Sequence, residues 1–161
     1  MKMPASLATA LIVPQVLPAP GAIAQTAVTP AAADYSNSPL LPGSWSYVAV
    51  PGGSVARFTD ATGTIRVSFG CNRTSRGVTI ARTSAAPAAS LSFWTSTASR
   101  SQPAMFEQSA QRVVATFNAQ DTMLDAIVFS RGRFAVSMPG APALVIPTGP
   151  EASRIVEDCR G

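Results

Sequence analysis

From residue 44 onward the chain is dominated by short runs of alternating apolar and polar residues, each ended by Gly, Pro, Asp or Asn. This pattern confines it to a β-rich fold. The clearest run is 64–70 (TIRVSFG), where Ile65, Val67 and Phe69 point one way and Thr64, Arg66 and Ser68 the other. A side-chain period of two describes a half-buried strand. Similar runs cover 44–50 (SWSYVAV), 54–60 (SVARFTD), 78–83, 90–95 (SLSFWT), 111–117, 133–138 (RFAVSM) and 143–146 (ALVI). The period changes twice. Over residues 121–129 (DTMLDAIVF), Asp121 is placed to cap a helix, and Met123, Leu124, Ile127 and Val128 share one of its faces. Pro150 can occupy the first turn of a second helix that runs to Cys159. The expected fold class is therefore α+β, mainly β. An antiparallel sheet or partly closed barrel is expected, with two short helices in the C-terminal third.

The N-terminus follows a different logic. Lys2 supplies a positive start, residues 7–13 (LATALIV) an apolar stretch, and Ala22-Ile23-Ala24 a small-residue cleavage motif ahead of Gln25. These features predict a signal peptide over 1–24. Pro14, Pro18 and Pro20 shorten its apolar helix, and the competing reading is a cytosolic chain with an apolar tail. The run is far below the roughly 20 residues that span a bilayer as a helix, so no transmembrane anchor is expected after processing. Residues 25–43 are Ala-, Thr-, Ser- and Pro-rich and predict a flexible leader. A single domain is then expected over 44–161, exported to the periplasm or the medium.

Export changes what the two cysteines mean. In an oxidising compartment, a pair outside any C-x-x-C motif points to one structural bridge, Cys71–Cys159. In a reducing compartment the same residues would be two buried thiols.

The residue types that are missing exclude much chemistry. The chain has no histidine, and once Lys2 is cleaved it has no lysine. Ser-His-Asp and Cys-His machinery, Ser-Lys dyads, Schiff bases and the usual zinc ligand sets are therefore absent. No Gly-rich stretch joins a strand to a helix in the phosphate-cradling manner, so no nucleotide or other cofactor is expected. Carboxylates remain: Asp34, Asp60, Glu107, Asp121, Asp125, Glu151, Glu157 and Asp158. Asp121 and Asp125 are spaced to share a helix face, as a glycosidase pair would require, but a single i, i+4 pair has little specificity and the favoured account is a cap plus a solvated helical residue. Glu157 and Asp158 beside Arg160 predict surface ion pairs.

The formal charge of +4 rests on eleven scattered arginines and Lys2, without the clustering of a nucleic-acid binder. The most concentrated polar feature is Ser130-Arg131-Gly132-Arg133, whose two guanidiniums make a possible anion-binding site. The plainer account is an Arg-rich turn, with one Arg paired to Glu151, Glu157 or Asp158. Trp45, Phe93 and Trp94 lie in apolar strands and are expected in the core. Asn72-Arg73-Thr74 is a sequon that matters only in a glycosylating host.

The stretch LDAIVFSRGRFAV, the following Gly140 to Pro147 segment and the closing EDCRG resemble small exported α-proteobacterial proteins of unknown function. The upstream GGSVARF and the strand ending in Cys71 are similar to the same group. The resemblance implies a leader and the same two cysteines, and it implies no activity. The expected function is a non-enzymatic periplasmic or secreted module that binds an envelope protein or an anionic ligand. The alternatives are an exported inhibitor of an envelope or extracellular enzyme, its 25–43 arm entering a cleft, and a carboxylate-only hydrolase using Asp121 or Asp125.

Overall fold

The structure is a computed structural model and describes residues 35–161. The signal peptide read over 1–24, Asp34 and most of the 25–43 leader lie outside the described residues.

Nine strands form one antiparallel sheet: β1 (Gly43–Val50), β2 (Gly53–Asp60), β3 (Ile65–Asn72), β4 (Gly77–Thr83), β5 (Ser90–Trp94), β6 (Ser99–Glu107), β7 (Arg112–Asn118), β8 (Arg133–Met138) and β9 (Ala141–Pro147). Their order across the sheet is β1-β2-β3-β4-β7-β6-β5-β8-β9, curled into a half-barrel. Helix α1 (Thr122–Val128) lies between β7 and β8, and α2 (Pro150–Arg160) closes the chain. The expected mainly-β, α+β class is what the molecule has.

The alternating pattern explains which face turns inward. Val67, Phe69 and Cys71 of β3, Val78 and Ile80 of β4, and Val113, Ala115 and Phe117 of β7 are buried. Ile65 does not follow its predicted partners. It opens β3 beside a register shift at Phe58/Thr59 and is exposed. The shift inserts a residue there and ends the simple alternation. Curling brings distant strands together: the rings of Phe69 on β3 and Phe134 on β8 meet edge to face at 6.1 Å. Trp45 on β1 packs on Phe58 and Phe69 at 5.5 and 5.6 Å.

Helix α2 packs against β1 to β4, burying Ala152, Ile155, Val156 and Cys159. Pro150 stands in its first turn, where a missing N–H costs nothing. Cys159 is joined to Cys71 of β3 by the expected disulfide. Asp121 caps α1 by accepting from the Met123 amide at 2.8 Å, also as expected. No described helix is long and apolar enough to cross a membrane.

One strand was not expected. Residues 99–107 form β6, and a short 3-10 turn (Gln108–Ala110) leads from it into β7 through Gln111 at φ 47°. None of the residues of β6 is buried, so the strand carries no apolar alternation to read. It exists because its backbone pairs with β5 on one side and β7 on the other.

Arg82 is the one charged residue whose side chain is enclosed by the half-barrel among the described residues, 4% exposed. It donates to the Val136 carbonyl at 2.9 Å and to the Pro142 carbonyl at 2.6 Å, tying β4 to the β8–β9 hairpin. Val136 stands at a register shift, where a ladder carbonyl becomes available to a side chain. Burial, reinforced by the charge of Arg66, pushes the Arg82 pKa down to about 10.

Candidate functional site

A broad cleft lies where the two edges of the sheet approach each other. Trp94, Ala135 and Val145 are consecutive cross-strand partners on β5, β8 and β9 and so share a face of the sheet. Phe93, Val136 and Leu144 form the neighbouring row on the opposite, core-facing side. Trp94 is therefore half-buried at the surface, unlike Phe93, which is fully buried in the core as expected. This corrects the expectation for Trp94, and the physical reason is the period of two: adjacent residues in a strand cannot both face inward.

The other wall comes from residues 35–42 (YSNSPLLP), read from the sequence as the end of the leader. The segment is held at three points. The Leu41 amide donates to the Val145 carbonyl at 2.8 Å, Arg133 Nη1 donates to the Ser38 carbonyl at 2.8 Å, and the Ala61 amide donates to the Pro42 carbonyl at 3.1 Å. Nearby, Trp45 Nε1 donates to the Pro147 carbonyl at 2.8 Å, a second link between the β1 and β9 ends of the sheet. Between this strap and the β5–β9 surface lies a cleft of about 580 Å³, lined by Tyr35, Pro39, Leu40, Leu41, Trp94 and Val145 among others. Eight of the ten lining residues are apolar, and Tyr35 is the only ionisable one. A site of this composition can hold an apolar molecule by contact and ring stacking.

The two arginines singled out as an anion site do different things. Gly132, at φ 72°, turns the chain between them. Arg133 is half-buried and committed to the Ser38 carbonyl, so it supports the cleft wall. Arg131 is exposed, and its backbone amide donates to Ser96 Oγ at 3.2 Å. Neither forms an ion pair with Glu151, Glu157 or Asp158, contrary to the plainer expectation. The Ser130 hydroxyl, also buried in this turn, donates to the Arg133 carbonyl and accepts from the Ser96 amide.

The carboxylates are distributed among separate partners. Asp121 meets Arg100 at 2.7 Å. Burial works to raise its pKa, but the Arg100 guanidinium and the Met123 amide outweigh that and hold it below the ordinary 3.8. Asp125 is gripped through both oxygens by Arg160, at 2.8 and 3.0 Å. That contact pushes the Arg160 pKa up against the weaker opposing effect of burial. The pair expected to share a catalytic face is thus divided between two arginines, and a depressed pKa is the opposite of what a general acid needs. Arg160 also leaves the predicted ion pairing with its neighbours Glu157 and Asp158 unmade, because the helix turn directs it to α1 instead.

Asp158 lies in a separate polar cluster. Its carboxylate accepts from Tyr47 Oη at 2.6 Å and lies 3.9 Å from Arg73, while Arg154 stacks over the Tyr47 ring at 4.3 Å. Burial opposes ionisation there, yet the Tyr47 hydroxyl and the charges of Arg73 and Arg154 keep its pKa low. The cluster fastens α2 to β1 and to the turn that follows β3.

The sequence reading missed the cleft because its strap was assigned to the leader. The signal was the SPLLP segment, in which two prolines bracket two leucines. That pattern lowers the entropy cost of ordering an extended apolar segment. No protein-family model, curated protein or solved structure matches the chain.

Proposed function

We propose that this chain is an exported, non-enzymatic binding protein that holds a small uncharged apolar ligand between the 35–42 strap and the Trp94 face of the sheet. The observation that carries the reading is the cleft of about 580 Å³, which falls within the size range of small-molecule sites and has a lining without a charged group. Trp94 supplies a broad ring face, and Pro39, Leu40, Leu41 and Val145 supply aliphatic walls. The leader pattern at the N-terminus and the Cys71–Cys159 bridge support an oxidising compartment outside the cytoplasm.

The test uses the chain expressed with its own leader and recovered from the periplasm. Intact mass should begin at Gln25. The purified protein is then titrated with the neutral fluorophore N-phenyl-1-naphthylamine. Saturable emission enhancement is expected, weakened about tenfold by Trp94→Ala and retained in Trp45→Phe. A full-length cytoplasmic product overturns the export half. A titration that does not saturate, or that Trp94→Ala leaves unchanged, overturns the binding half.

A further inference from the structure

A second, smaller pocket of about 140 Å³ lies on the outer face of the sheet, formed over β2, β3, β4 and β7. Antiparallel register builds it: Arg57, Ser68 and Ala81 are cross-strand partners in one row, and Thr83 and Arg112 are partners in the next. β2 and β7 are three strand spacings apart, roughly 14 Å. Even so, the side chains of Arg57 and Arg112 line the same pocket. They line it together with Ser68, Ala81, Thr83, Ala110 and the exposed Ile65. No carboxylate among the described residues lines the pocket.

The charges around it are only partly neutralised. Arg112 directs Nε and Nη2 at a single oxygen, Oε2 of Glu107, each at 2.7 Å, and its Nη1 has no such partner among the described residues. Arg57 makes no ion pair among the described residues, and the Ser68 hydroxyl makes no hydrogen bond among them. Arg66, at the register shift of β3, is 3.6 Å from Asp60 and close enough to the buried Arg82 for its charge to be felt there. Two like charges brought over a shared hollow repel each other unless something negative lies between them.

We propose that this pocket binds one tetrahedral oxyanion, a phosphate or sulfate group, held by Arg57 and Arg112 with Ser68 Oγ as a further donor. A space of this size holds on the order of four or five water volumes, enough for one such group and too small for a nucleotide. Guanidinium forks match the oxygen geometry of these anions. The site is independent of the apolar cleft and stands on different strands.

The experiment is a ³¹P NMR titration of the purified chain with inorganic phosphate, run beside co-sedimentation with phosphatidylcholine vesicles with and without phosphatidic acid. Saturable broadening of the phosphate signal is expected if the anion is taken up free. Sedimentation only with the phosphatidic acid vesicles assigns the same pocket to a lipid headgroup. In whichever arm binds, Arg57→Gln should weaken binding about tenfold. Ala81→Leu, which fills the floor and keeps both charges, should do the same. Arg131→Gln removes the same charge elsewhere and should have little effect. Near-UV circular dichroism checks that each variant is folded. Failure to bind in both arms overturns the proposal, as does an equal loss in Arg57→Gln and Arg131→Gln, or full binding by Ala81→Leu.

Discussion

Reducing the Cys71–Cys159 bond opens a loop whose ends are 88 residues apart in sequence, joining the middle of the sheet to the last turn of the chain. In the chain-entropy treatment, a closed loop of that length stabilises the folded state by about 4.6 kcal/mol at 25 °C, because the unfolded chain has less freedom to gain. That is a third or more of the total stability of an ordinary domain. The folded state itself should change little. Helix α2 keeps its apolar contacts through Ala152, Ile155 and Val156, its Asp125–Arg160 grip and its Tyr47–Asp158 bond. The bond's effect should therefore appear as easier unfolding with the native circular dichroism spectrum unchanged. The assay is equilibrium unfolding in urea, oxidised against reduced, with Cys71→Ala/Cys159→Ala as a third sample. With a slope of about 2 kcal/mol per molar, the midpoint should fall by roughly 2 M on reduction. The double alanine variant should fall somewhat further, since both sulfur atoms are buried and their removal leaves small voids. A difference below about 1 kcal/mol between oxidised and reduced protein refutes the reasoning, as does loss of native structure on reduction in the absence of urea.

Three further outcomes follow from single features. The chain has no histidine, so stability should stay flat from pH 8 to pH 5. Asp121 and Asp158 have folded pKa values below the ordinary 3.8, so the stability they contribute is complete above that value and is lost as the pH falls through their folded values. Urea midpoints at pH 8, 5 and 3 check both statements, and a decline already evident between pH 8 and pH 5 would contradict them. Gly149 precedes α2 at a point where an added Cβ would lie 2.6 Å from Trp45 Cδ1 and 2.8 Å from Glu151 Oε2. Gly149→Ala should cost about 1–3 kcal/mol by forcing Trp45 off its seat on Phe58 and Phe69, measured as a lower urea midpoint with altered tryptophan emission.

The strands that bury a face announced themselves. Val67 and Phe69, Phe134 and Val136, and the α1 face of Met123, Leu124 and Ile127 follow the period of their element, because burial against one core imposes that period. The Asp121 cap and the Pro150 helix start were equally local, each set by the backbone groups next to it. The two cysteines could be paired because only two exist.

Other features depended on what lies across the fold. Strand β6 has no buried residue, so only its neighbours β5 and β7, which accept its backbone bonds, make it a strand. Asp121 and Asp125 are neighbours on one helix, but their roles come from Arg100 on β6 and Arg160 on α2, 21 and 35 positions away. Arg133 acts through the Ser38 carbonyl, 95 positions upstream. The cleft itself requires residues 38–42 to lie along β9, more than a hundred positions later in the chain. Period and capping are properties of a few consecutive residues and can be read along the sequence. Charge partners, unpatterned strands and clefts depend on which distant surfaces meet when the sheet curls, so only the folded chain decides them.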